Sequence, residues 1–179
     1  MFLLLNMTDV CDKAICDIAD GKKNASSVLY REYGRMIYSV AFQIVRDPHD
    51  AEDVLQDTML KIIRLSHTYR RGTNPKAWIM AITRNCAVDK LKNKNTEVSL
   101  DSLVTENREK YFTPAQDELI ILQDALNTLS YEEQLIIKLK IHIGLSHSEI
   151  ASVIGKSTVA VRKQYQRSLE KLKEYYEKG

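Results

Sequence analysis

The stretch Leu145–Leu172, LSHSEIASVIGKSTVAVRKQYQRSLEKL, decides how this chain folds. Ser146 followed by Glu149 is a capping box: the serine hydroxyl satisfies a free amide of the first turn while the glutamate reaches back to the cap. A helix starts there. Ile150, Ala151, Val153 and Ile154 give it an apolar side, Gly155 suits the left-handed residue that ends it, and Ser157 can cap the next helix. A second helix therefore begins near Thr158. Two short helices joined by about four residues, with the small Ala151 at their crossing and Gly155 in the turn, predict a helix-turn-helix.

Helical spacing turns Val161, Tyr165, Ser168, Leu169 and Leu172 of the second helix inward and leaves Arg162, Lys163, Gln166 and Arg167 on the opposite side. Arginine and lysine can contact phosphates or guanine edges and glutamine can read adenine, so this side has the chemistry of a major-groove reader. A plain solvated helix face carries the same residue types, and this window alone leaves both readings open.

Composition frames the rest. At 179 residues the chain has room for one domain or two small ones, and 44% hydrophobic and 28% charged residues are ordinary for a protein with a packed core. The net charge of +2 says less than its distribution, since two mildly basic ends flank an acidic middle over residues 96–127. That asymmetry suits two modules facing nucleic acid and a connector that avoids it. The opening MFLLLNM has no basic region before it, no small-residue cleavage site and too few residues to span a bilayer. The expectation is a cytoplasmic protein without membrane insertion, with Met7 as an alternative start to Met1. Cys11, Cys16 and Cys86 lack metal-ligand spacing and are expected to be reduced structural thiols, and the histidines are scattered singly. No metal and no cofactor is expected.

Almost nothing alternates like a strand, so the fold class is all-α. Helices are expected at roughly 8–20, 24–46, 49–66, 75–94, 114–128, 131–143, 147–154 and 158–176. Gly21, Asp47-Pro48, Gly72, Asn74-Pro75, Thr113-Pro114, Ser130 and Gly144 supply the punctuation. Asn74 before Pro75 and Thr113 before Pro114 are cap-then-proline starts. The chain is expected to form two small helical domains joined by a flexible linker: a lead-in helix over 1–23, a first domain over 24–95, a polar and acidic linker over 96–113, and a second domain over 114–179 that contains the helix-turn-helix.

Two motifs resemble enzyme sites and fail on inspection. Asp50, Glu52, Asp53 and Asp57 look like a carboxylate cluster, but acids at a helix start favour its dipole, and Val54, Leu55, Met59, Ile62 and Ile63 make the same helix amphipathic. No histidine or cysteine is placed to complete a site. GKST, Gly155–Thr158, mimics the tail of a phosphate-binding loop, yet Ile150 stands where the first glycine of that motif belongs, and a helix precedes it. No catalytic residue is expected. The segment Ser66–Asn95 says more. A loop with Tyr69, Arg70 and Arg71 leads into a helix whose Trp78, Ile79, Ile82, Val88 and Leu91 suit a core, while Lys76, Arg84, Asn85, Lys90, Lys92 and Lys94 are polar or basic. Rings beside cations are what single-stranded DNA needs, because bases stack on rings while cations neutralise phosphates. Trp78 is expected in the core, and Tyr69, in the loop, is the better candidate for base contact.

From about Asn24 to Tyr176 the chain resembles a bacterial extracytoplasmic-function sigma factor of the sigma-70 family. RDPHDAEDVLQDTMLKIIR resembles the helix of conserved region two, NPKAWIMAITRNCAVDKLKN the promoter-opening and minus-ten helix, and the run from Ala125 to Leu172 region four. Their order and spacing together carry the resemblance. It implies that Asp50, Asp53, Gln56, Asp57 and Leu60 dock on the clamp of core RNA polymerase, with the flap as a further contact. It places Tyr69 and Asn85, with Arg70, Arg71, Lys76 and Arg84 around them, on the melted minus-ten strand. It assigns Lys140, Arg162, Lys163, Gln166 and Arg167 to the minus-thirty-five element. An anti-sigma factor, often membrane-attached in such families, is an implied partner. The family usually has Leu-Pro where Leu129-Ser130 stands, often arginine at Gln164 and threonine at Ala160. Ser130 can cap a helix as well as proline can start one. Two modules can hold two separated promoter elements at once, since linkage raises effective concentration. An ordinary repressor or activator, binding operators without polymerase, and a metal-dependent nuclease built on the acidic helix are the competing classes.

Overall fold

A computed structural model describes the backbone of residues 2–97 and 124–178 and the side chains of residues 10–94 and 124–177. The first half is four helices: α1 (Phe2–Ala19), α2 (Ala25–Val45), α3 (Pro48–Leu65) and α4 (Pro75–Glu97), with a 3-10 turn at Ser66–Thr68. Each start has a local cause. The Asp47 carboxylate accepts from the Asp50 amide at 2.9 Å, with Pro48 in the first turn of α3. The Asn74 side-chain Oδ1 accepts from the Lys76 amide at 3.1 Å ahead of Pro75. The second half comprises α5 (Tyr131–Ile137), widening into π-type turns over Lys138–His142, then α6 (His147–Ile154) and α7 (Thr158–Lys178). Ser130 and Glu133 form the reciprocal capping box of α5, so the serine does stand in for the family's proline. No strand occurs among the described residues.

Against the expected boundaries, α1 begins earlier, at Phe2, and α4 runs two residues into the expected linker. The rest of that linker, and most of the helix expected over 114–128, lie outside the described residues; residues 124–127 are helical.

Ile15, Leu29, Tyr33, Ile37, Ile62, Ile79 and Met80 fill the space among α1 to α4, and Ile136, Leu139, Ile143, Leu145, Ile150 and Val161 that among α5 to α7. Burying each such side chain contributes about 1.5–3 kcal/mol. These are not two isolated cores. They join in one apolar cluster, because α2 packs on α5 and α4 on α6.

The seam between the halves is polar at its edges. Gln43 donates to Gln134 at 2.8 Å, and Gln134 in turn donates to the carbonyls of Leu126 and Leu129. The Lys138 ammonium donates to the Ser39 carbonyl at 3.1 Å and the Ser39 hydroxyl at 2.9 Å, and burial pushes its pKa down. The Arg46 guanidinium lies over the Tyr131 ring, 3.0 Å from its centroid. Asn74 donates to Glu149 at 2.8 Å, so the cap residue of α4 touches the cap box of α6.

Candidate nucleic-acid interface

The helix-turn-helix is built as its sequence predicts. Ser146 accepts from the Glu149 amide at 3.2 Å while Glu149 accepts from the Ser146 amide at 2.7 Å. Burial pushes the Glu149 carboxyl up, but the Ser146 donors, Asn74 and Lys140 more than offset that and hold it below the usual range. Gly155 ends α6 at φ +72°, a conformation that glycine adopts without the Cβ clash. Ser157 then accepts from the Ala160 amide at 3.2 Å. Val161 and Ser168 of α7 are buried, Tyr165, Leu169 and Leu172 are half-buried, and Arg162, Lys163, Gln166 and Arg167 are all exposed.

Lys140 is half-buried, with its ammonium donating to the Leu145 carbonyl at 3.2 Å. The sequence reading missed His147. Its ring meets Tyr165 edge-on at 5.2 Å, and its Nε2 is buried without a hydrogen-bond partner. Burial lowers its pKa, and so do Lys140 and Arg162. His147 therefore lies within electrostatic reach of two cations expected on DNA. A lone histidine one residue after a capping serine gives no periodic signal that would have revealed this.

The residues expected on the minus-ten strand divide into three groups. Arg70 and Arg71 are exposed in the loop, where Arg71 Nε donates to Cys16 Sγ at 2.9 Å. Arg84, half-buried, and Asn85, exposed, line a groove between α3 and α4 with Lys61, Leu65, Ile82, Val88, Asp89 and Lys92. Tyr69 and Lys76, expected beside the melted strand, are buried. Tyr69 is 9% exposed. Its phenol oxygen is 2.6 Å from Asp12 Oδ1 and 3.0 Å from the Thr73 carbonyl, and its single proton serves one of them at a time. Its ring is tilted against Trp78, with centroids 5.3 Å apart. The cause is α1, which packs on the loop.

The acidic helix divides too. Asp50 accepts from Lys94 at 2.8 Å and lies 3.6 Å from Lys90, which reaches Asp53 at 2.6 Å. Burial pushes the Asp50 carboxyl up, and the two lysines outweigh it. Asp50 thus faces α4 rather than open solvent. Asp53, Gln56, Asp57 and Leu60 are exposed, and Ile63 and Arg64 extend the same side of α3. Among the described residues, no group of three or more His, Cys, Asp or Glu could hold a metal ion, and no helix is long and apolar enough to cross a membrane.

Residues 29–97, spanning most of α2 through α4, match Sigma-70 region 2, and residues 119–172 match Sigma-70 region 4. The RNA polymerase sigma factor CarQ of Myxococcus xanthus is 31% identical over 163 residues, covering 87% of this chain and 91% of CarQ. The chain belongs to the sigma-70 family, in its extracytoplasmic-function group. The sigma factors SigX of Bacillus subtilis and SigE of Mycolicibacterium smegmatis are 25% and 29% identical, each over 84% of this chain. The chain spans 82% of SigX but only 61% of SigE. The fold is that of CnrH, solved with the cytosolic domain of CnrY, at a TM-score of 0.66 and 21% identity over 94% of this chain and 97% of CnrH. It is also that of RpoE of Bartonella quintana, solved with the anti-sigma factor NepR, at 0.60 and 23% over 80% and 91%.

Proposed function

We propose that this sigma factor directs core RNA polymerase to promoters through three surfaces. The exposed side of α3, Asp53 to Arg64, docks on the polymerase clamp. The Ser66–Asn74 loop and the groove holding Arg84 and Asn85 capture the melted minus-ten strand. The Arg162, Lys163, Gln166 and Arg167 side of α7 reads the minus-thirty-five duplex. The observation that carries this reading is the exposed polar stripe of α7, set on a capped helix-turn-helix in a chain with matches to both sigma regions. The protein takes no catalytic step of its own; polymerase does the chemistry, and the cytoplasm is where it would work.

Extruding bases costs a few kcal/mol each, so a cationic groove beside an apolar wall is a suitable receiver for them. With core enzyme the protein is expected to start transcripts that core alone does not start. Specific operator binding and regulation without polymerase would instead place it among ordinary repressors and activators.

CnrH and RpoE were each solved with a partner, the latter named as an anti-sigma factor. By analogy this chain is held by an anti-sigma protein when polymerase is absent. Co-purification from resting cells is expected to yield a partner that blocks polymerase binding; recovery of polymerase subunits alone, in resting and stressed cells, counts against that partner.

A further inference from the structure

We infer that Val159 reads the 5-methyl group of a thymine in the promoter element that α7 faces. The inference rests on the reading of α7 as the duplex-reading helix and adds a residue to it. Val159 is the second residue of α7 and is 63% exposed, although valine is apolar. A β-branched residue is also a mediocre helix former, so nothing local favours it there.

Its position supplies the reason. Val159, Arg162, Lys163, Gln166 and Arg167 recur at spacings of three and four, which places them on one side of the helix, and all five are exposed. The four polar members have donors for phosphates and base edges, which sets duplex DNA as the occupant of the stripe. In helix-turn-helix proteins the first residues of the second helix are the ones that reach the bases. The major groove offers donors and acceptors at every base pair but only one apolar group, the methyl of thymine. An exposed valine at that end therefore matches thymine and no other base.

The test uses the full chain with core polymerase. Promoters selected from a randomised library are remade with each minus-thirty-five thymine replaced singly by deoxyuridine, which removes the methyl and nothing else. One such replacement is expected to weaken binding about fourfold, the effect of leaving roughly one carbon group unburied. In Val159→Ala that penalty should vanish while the protein stays folded by circular dichroism, because the residue is exposed and alanine favours helix. A penalty unchanged in Val159→Ala, or no thymine that shows one with the natural protein, overturns the inference. Arg162→Ala separates the two levels. If it weakens binding while Val159→Ala leaves the deoxyuridine penalty intact, only the inference falls; if neither variant weakens binding, the reading of α7 falls with it.

Discussion

Tyr69→Ala is expected to cost about 3–5 kcal/mol of folding stability, the range for removing a large buried aromatic side chain. The ring is walled by Trp78 and its phenol is shared between Asp12 and the Thr73 carbonyl, so truncation leaves a cavity and strands a carboxylate. Tyr69→Phe keeps the ring and removes only the hydroxyl, and is expected to cost about 1 kcal/mol, in the range of one hydrogen bond. Asp12→Asn should reproduce part of that smaller loss. Urea unfolding of the three variants ranks them, and permanganate footprinting of melted thymines reports the consequence for DNA. Because Tyr69 is the floor of the loop rather than a free platform, Tyr69→Phe should open promoters nearly as well as the natural protein. Tyr69→Ala should lose opening along with order in the loop. If Tyr69→Ala unfolds at the natural urea midpoint and loses opening alone, the buried placement is not the one that works on DNA.

That residue also marks where sequence reading stops. The capping box at Ser146, the glycine at 155 and the three-four spacing of α7 are local signals, each written within a few residues, and all three stand in the structure as read. Tyr69 is read correctly as part of a loop, but its burial depends on α1, more than fifty positions away. No periodicity reports that. The same applies to Asp50, whose lysine partners sit on another helix, and to Lys61, which joins the Arg84 groove only because α3 lies along α4. Ser130 shows the opposite case. It departs from the family pattern yet keeps the helix start, because a hydroxyl that accepts from the Glu133 amide does the work a proline would have done by geometry. Helices arise from neighbours in sequence, whereas the faces that remain open are set by neighbours in space.

The seam between the two halves leads to the second large effect. Named by their distance from the start site, the two promoter elements lie about 25 base pairs apart, or roughly 85 Å of duplex at 3.4 Å per step. A compact chain of 179 residues has a radius of gyration of only about 16 Å. With α2 on α5 and α4 on α6, α7 and the Arg84 groove cannot occupy both elements, so binding a promoter is expected to part the halves. Dyes on cysteines placed at the exposed Arg31 and Lys173, with the native cysteines buried, should transfer energy efficiently in the free protein and poorly in the promoter complex, reporting tens of ångströms of separation. Two variants push the equilibrium in opposite directions. Gln43→Ala with Arg46→Ala removes a hydrogen bond and a cation–π contact, about 1–3 kcal/mol together, and should open the free protein. Lys138→Met keeps the stem but removes an ammonium buried against neutral oxygens, and should hold the halves closed and slow promoter binding. The pH dependence has a matching sign. Closing lowers the Lys138 pKa, so the cost of burying the charge is greatest at low pH and fades as pH rises through the lowered value toward the ordinary lysine value. Energy transfer in the free protein should therefore rise in alkaline buffer, and the rise should be absent in Lys138→Met. Transfer that stays unchanged on promoter binding would mean instead that the two halves work as one closed body.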